Sequence, residues 1–255
     1  MTTAGNASGT SSAVTRLLAY GLTEVGKVRK HNEDAIGLND AARIWVVADG
    51  MGGHEAGDYA SQRIVEVIEG LADGDLVSRV QAVEEALQSV NTELVKRGKE
   101  KGGKTIGSTV IACIADGAHC VIAWAGDSRA YIFRGGILEQ INEDHSFVGE
   151  LVRAGTITEA EAEVHPAANV VTRAVGGDSR LSVDYQYEEL RVGDRIMLCS
   201  DGVSKEIPAP TIAEILGSAA SAQQACEAMR DQVFAGRASD NLSVIVIEAQ
   251  GDPTS

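Results

Sequence analysis

Positive charge, paired cysteines and long apolar runs are scarce in this 255-residue chain, and each shortage removes a class of function. Asp and Glu number 37 against 22 Lys and Arg, a formal net charge of −15. Such a chain repels a nucleic-acid backbone or an anionic membrane surface. It can act on phosphate only if bound cations and one or two Arg reverse the field locally. The cysteines (Cys113, Cys120, Cys199 and Cys226) show no C-x-x-C spacing, and three lie in apolar strand-like runs. They read as reduced core residues of a cytosolic protein, not a disulfide framework or zinc site. No run approaches the length of a membrane span, and H-E-x-x-H, G-x-S-x-G and EF-hand loops are absent. Residues 1–14 are small and polar, with no basic start and no apolar stretch. A disordered tail is expected there rather than a signal peptide, and 250–255 reads as a short tail without an anchor. A cytoplasmic monomer is the expectation.

What the chain does have is carboxylates at the ends of apolar runs. W-V-V-A-D-G closes at Asp49, V-I-A-W-A-G-D at Asp127 and I-M-L-C-S-D-G at Asp201, while Asp240 opens S-D-N-L-S-V-I-V-I. A strand end holds a side chain on a rigid element yet points it out of the core. Gathering several carboxylates is costly, because like charges raise one another's pKa, and a divalent cation removes that cost.

Strands are expected near 15–22, 34–38, 43–48, 107–115, 119–126, 129–134, 137–141, 181–188, 194–200 and 241–248. Helices are expected at 55–71 and 78–97, the second carrying Val80, Val83, Leu87, Val90 and Leu94 at three-and-four spacing. Two more are expected at 209–216 and 219–234. Residues 144–178 are polar and weakly periodic, and read as a surface insertion able to act as a lid. Within it, Thr158 and Glu161 form a capping box for a short helix running toward Pro166. Clustered strands with helices in pairs favour an antiparallel α+β layout.

Two motif matches point elsewhere. Gly98–Thr105 reads G-K-E-K-G-G-K-T, which fits a nucleotide-binding P-loop, but a helix precedes it and a strand follows, the reverse of the order a P-loop needs. Asp73–Val77 matches the D-x-D-x-[TV] pattern of phosphatases with an aspartyl nucleophile. It lies between helices, where Asp73 or Asp75 serves better as a cap.

Five remaining pieces cohere: K-V-R-K-H-N-E-D (Lys27–Asp34), V-A-D-G-M-G-G-H (Val47–His54), A-G-D-S-R-A (Ala125–Ala130), L-C-S-D-G (Leu198–Gly202) and A-S-D-N-L-S-V (Ala238–Val244). In this order they resemble the bacterial branch of the PPM (type 2C) metal-dependent Ser/Thr protein phosphatases, from about Thr15 to Glu248. The resemblance implies one catalytic domain over 15–249. Its fold would be a central antiparallel β-sandwich flanked by paired helices, a four-layer α-β-β-α stack, with 144–178 as a flap. It also implies that Asp49 bridges two ions, that Asp201 and Asp240 complete one site, and that Glu33 and the Gly50 carbonyl serve the other. Asp34 would support these ligands, Asp127 with Asp201 would hold a third, weaker ion, and Arg29 would grip phosphate. The substrates implied are phosphoproteins, including a Ser/Thr kinase and its targets.

All the donors are oxygens, so Mn²⁺ or Mg²⁺ is expected and Zn²⁺ is not. A water between two such ions would attack phosphorus, with no phosphoenzyme intermediate. A non-catalytic phosphopeptide-binding relative would have lost ligands, and none is lost here. Duller roles stand beside these: Asp49 and Asp201 as turn residues before Gly, Arg29 as a solvated loop charge, and Asp127 as a turn residue paired with Ser128 or Arg129. His54 could protonate the leaving alkoxide or make a structural hydrogen bond. His145 and His165 are expected to cap or pack the flap. Met51 stands where eukaryotic members carry His, so the general acid does not transfer from them. I-G-S-T at 106–109 replaces M-G-T-T, a change expected to affect packing only.

Overall fold

Alternation along the strands decides how the layers stack. In the computed structural model, which describes residues 14–53 and 56–252, strand β3 (Ile44–Met51) is buried on both faces. Ile44, Val46 and Ala48 face one cluster with Ile64, Leu87 and Leu94, while Trp45 and Val47 face another with Ile196, Leu198 and Ile245. The first cluster is a helix-on-sheet layer and the second the interior between two sheets. The period of two along β3 therefore fills two cores at once.

The first sheet runs β1-β11-β10-β7-β8, built from β1 (Arg16–Glu24), β7 (Arg129–Arg134), β8 (Ile137–Gln140), β10 (Arg195–Cys199) and β11 (Leu242–Gln250). The second runs β2-β3-β5-β6-β9, with β2 (Asp34–Asn39), β5 (Val110–Asp116), β6 (His119–Ala125) and β9 (Asp184–Glu189); the two-residue β4 (Gly107–Ser108) pairs with β3. The pairings within both sheets are antiparallel.

Helices α1 (Gly57–Glu69) and α2 (Leu76–Glu100) cover the second sheet. On the first sheet, α5 (Asp201–Ser204), α6 (Ala209–Ser218) and α7 (Ala222–Ala235) pack against Met197, Val244 and Val246. The four layers are α-β-β-α, as the resemblance implies.

Asp75 caps α2 by accepting the Ser78 N–H at 2.9 Å, and Asp73 accepts the Gly74 N–H at 2.8 Å. Gly98–Thr105 covers the last turn of α2 and the loop toward β4, so the segment closes a helix and does not open one. All four cysteines are buried and free. No helix among the described residues is long and apolar enough to cross a membrane.

Several boundaries differ from expectation. Val14, assigned to the tail, is only 8% exposed and packs in the sandwich interior; Gln250 still belongs to β11. Residues 1–13 and 253–255 lie outside the described residues. The expected strand at 107–115 is broken at Thr109, where the backbone turns to bond Asp49.

The insertion holds two short helices, not one: α3 (Phe147–Arg153) and α4 (Glu159–Glu163), the latter closed by the expected Thr158–Glu161 capping box. Its two ends are drawn together where Phe147 N–H donates to the Val170 carbonyl and Thr172 N–H to that of His145. His145 accepts the Gly126 N–H at Nδ1 (3.2 Å), bonds Asp184 through Nε2 (3.1 Å) and stacks on Trp124. His165 accepts the Ala167 N–H and lies against Phe147. Both histidines pack the flap.

Candidate metal centre

The β2–β3 register sets Asp34 directly opposite Asp49. Like charges at such a pair repel, so something must hold them there. Asp34, 5% exposed, is held by the hydroxyls of Ser200 and Ser243, each 2.8 Å from its Oδ2. Those serines belong to the first sheet's end, so one carboxylate joins both sheets. Burial pushes Asp34 up to about 7; the serine bonds pull it down, while Asp201 and Asp240 push it further up.

Asp49 is fixed through its backbone. Its N–H donates to the Thr109 hydroxyl at 3.2 Å, and its carbonyl accepts the Thr109 N–H at 2.8 Å and the Ser108 hydroxyl at 2.9 Å. The I-G-S-T segment therefore fixes the backbone of Asp49 through Ser108 and Thr109. Burial, followed by the charges of Asp34, Asp201, Asp127 and Asp240, pushes the Asp49 carboxyl well above the usual range. Gly50 follows because a Cβ there would stand 2.1 Å from the Gly57 carbonyl oxygen. Its N–H donates to the Glu33 carbonyl at 3.0 Å.

The loop carrying Arg29 and Glu33 is clamped by Asn241, a residue the sequence reading passed over. The Asn241 amide donates to the carbonyls of Val25 and His31 and accepts the Glu33 N–H, each at 2.9 Å. The strand after Asp240 thus anchors the loop before Asp34.

Asp201 sits not at a bare strand end but on the first residue of α5. The glycine after it is required, since a Cβ on Gly202 would lie 1.9 Å from the Asn241 carbonyl oxygen. Asp127 follows β6 and is 7% exposed. It does not pair with its neighbours in sequence: Ser128 bonds Thr109, and Arg129 forks onto Asp144. Burial and then Asp201 push Asp127 up to about 6. His54 lies outside the described residues.

Two of the chain's own cations touch these acids. Arg29 Nη2 is 2.7 Å from Asp240 Oδ2, and both side chains are partly exposed. Lys205 Nζ is 2.6 Å from Asp201 Oδ2 and 3.9 Å from Asp127 Oδ2. Burial acts to lower the Lys205 ammonium's pKa, but Asp201, Asp127 and Asp49 raise it further, so it stays charged. Lys205 is a second residue missed from the sequence; its signal was the four-residue spacing from Asp201 on a helical turn.

Among the described residues no three Asp, Glu, His or Cys side chains form a ready-made metal cage. The donor set nevertheless suits a hard divalent cation. It is all oxygen, on rigid elements, and its buried members are pushed toward protonation by burial and then by neighbouring carboxylates, which an ion would relieve.

The comparisons agree with this geometry. The protein phosphatase 2C family matches residues 26–242. The serine/threonine phosphatase stp of Listeria monocytogenes serotype 4b (strain F2365) is 34% identical over 235 residues, 89% of this chain and 93% of that protein. PppA, a key regulatory component of T6SS in Pseudomonas aeruginosa, superposes with a TM-score of 0.87 at 36% identity, covering 93% of this chain and 99% of that one. The catalytic domain of the phosphatase PstP in complex with two manganese ions gives 0.81 at 31% identity, covering 92% and 98%. Fold and relatives together define a metal-dependent protein serine/threonine phosphatase. The chain belongs to the protein phosphatase 2C family.

Proposed function

We propose that residues 14–250 act as one catalytic unit, a cytoplasmic monomer that hydrolyses phosphoserine and phosphothreonine in a Ser/Thr kinase and that kinase's targets. Asp49, Asp201 and Asp240 would hold two Mn²⁺ or Mg²⁺ ions, with Glu33 and the Gly50 carbonyl. When bound, these ions supply an activated water and positive charge beside the phosphoryl oxygens. Asp127 with Asp201 would offer a third, weaker position.

The chain's own residues do the rest. Asp49 stays in place because Ser108 and Thr109 fix its backbone on both sides. Asp34 keeps the two sheet ends in register through Ser200 and Ser243. Arg29 would leave Asp240 to grip the phosphoryl group, its planar fork matching two oxygens at once. His54 or a water would return the proton to the leaving alkoxide. Water is the nucleophile, so no phosphoenzyme accumulates.

The observation that carries this reading is the burial of Asp34 and Asp127 at strand ends from which acids of both sheets converge; burial first, and neighbouring carboxylates second, push Asp34, Asp49 and Asp127 upward. The test is p-nitrophenyl phosphate hydrolysis after metal stripping, with Mn²⁺ or Mg²⁺ restored. Activity should return only with metal, and Asp49→Asn, Asp201→Asn and Asp240→Asn should each remove most of it. Full turnover in EDTA, or an Asp49→Asn enzyme at the unsubstituted rate, would refute it.

A further inference from the structure

Lys205 closes the turn that begins at Asp201. Its N–H donates to the Asp201 carbonyl at 2.9 Å, and its side chain folds back over the same turn. The ammonium then meets three elements at once. It is hydrogen-bonded to Asp201 Oδ2 at 2.6 Å and to Asn169 Oδ1 at 2.8 Å, and stands 3.9 Å from Asp127 Oδ2. Asn169 belongs to the flap, one residue before Val170, whose carbonyl receives the Phe147 N–H. A single side chain thus joins the flap to the two carboxylates assigned to the third ion position.

We propose that Lys205 is a positioning residue whose ammonium is the resident cation of the Asp127–Asp201 pair, competes with a divalent ion for it, and latches the flap through Asn169. This rests on the reading of Asp127 and Asp201 as a weak ion position. An ion between those two carboxylates and an ammonium on the same oxygens repel each other, so one must leave. Lysine suits such exchange, being a point charge on a flexible four-carbon stem, where an arginine fork would be harder to displace.

When the ammonium leaves, Asn169 loses its donor and the flap loses its tie to α5. Linkage makes the effect reciprocal: whatever loosens the Lys205–Asn169 contact favours the ion, and a bound ion loosens the flap. If the ammonium is in place about nine-tenths of the time, the ion's apparent affinity is weakened about tenfold.

The test is Mn²⁺ titration calorimetry on the full chain, with amide hydrogen exchange over 165–172 as a second readout. Lys205→Met should bind its weakest ion about tenfold tighter than the unsubstituted protein. Its flap should exchange faster without metal and respond no further as the weak position fills. Lys205→Gln, neutral but still polar, should behave the same way and guards against a folding defect in the Met variant. Lys205→Arg, which keeps the charge on a fork that is harder to displace, should bind the weakest ion no more tightly than the unsubstituted protein and so separate the charge from the rest of the side chain. Asn169→Ala should speed flap exchange with only a small gain in ion affinity.

Unchanged ion number and affinity in both neutral variants would overturn the competition, and unchanged flap exchange would overturn the latch. Either result leaves the dinuclear reading standing. A protein that binds no Mn²⁺ at all would instead sink that reading, and the competition with it.

Discussion

Replacing Asp127 by Asn should stabilise the protein when divalent metal is removed, and only above a certain pH. Asp127 is buried beside Asp201, with its nearest cation, Lys205, 3.9 Å away. Its folded value is about 6 against an ordinary 3.8. The folded chain therefore binds more protons than the unfolded one between those values, and stability falls as pH rises through that window. The whole interval corresponds to about 3 kcal/mol when Asp127 is fully ionised.

Asn keeps the shape and cannot ionise, so Asp127→Asn should escape this penalty. For a domain of this size each kcal/mol moves Tm by about 2–4 °C. In EDTA at pH 8 the variant should melt higher by about 6 °C or more, and the gap should close as pH falls from 6 toward 4. Scanning fluorimetry or calorimetry across that range reads it directly. With saturating Mn²⁺ the order should narrow or reverse, because the variant forfeits a ligand. A variant that melts at or below the unsubstituted protein at pH 8 in EDTA would refute the reasoning. So would a gap that ignores pH, since only ionisation of Asp127 gives the effect its slope.

Arg29→Ala should lower kcat/KM by about ten- to a hundredfold and relax inhibition by free phosphate, with Arg29→Lys recovering little; unaltered phosphate inhibition would remove the gripping role. Gly202→Ala should cost about 1–3 kcal/mol or more in urea unfolding, because its Cβ would stand 1.9 Å from the Asn241 carbonyl oxygen; an unchanged midpoint would show that α5 can shift. Lys104→Ala and Asp73→Asn, at the two misleading motifs, should leave turnover nearly intact, and a large loss in either would reopen those motifs.

The sandwich was legible wherever a strand or helix carried its own period. The helices at 55–71 and 78–97 match α1 and α2 because their apolar stripes are local facts of the chain. Helix α3 was missed because F-V-G-E-L-V-R is short and holds a glycine; only the Ser146 cap, accepting the Gly149 N–H, announces it. The single turn α5 hid inside a motif read as a strand end.

At the site, the carboxylates stood out because acids at the ends of apolar runs are unusual. Their supports did not. Ser200, Ser243, Thr109 and Asn241 act across sheet and loop contacts between residues far apart in sequence, and a polar residue's partner at such distance leaves no periodic trace. Lys205 fell between these cases: its link to Asp201 is local, and its link to Asn169 is not.

Strand β11 lies between β1 and β10, pairing the chain's first strand with one from its last third. It follows directly on Asp240 and the Asn241 clamp. During synthesis, Asp34 and Asp49 leave the ribosome early and are set opposite each other by the local β2–β3 pairing, but the clamp on the Arg29–Glu33 loop and the Ser243 hydroxyl on Asp34 wait for this late strand. Non-local pairing of this kind is slow to form and cooperative. A chain clipped before residue 240 would lack Asp240, the Asn241 clamp on the Glu33 loop and the Ser243 hydroxyl on Asp34.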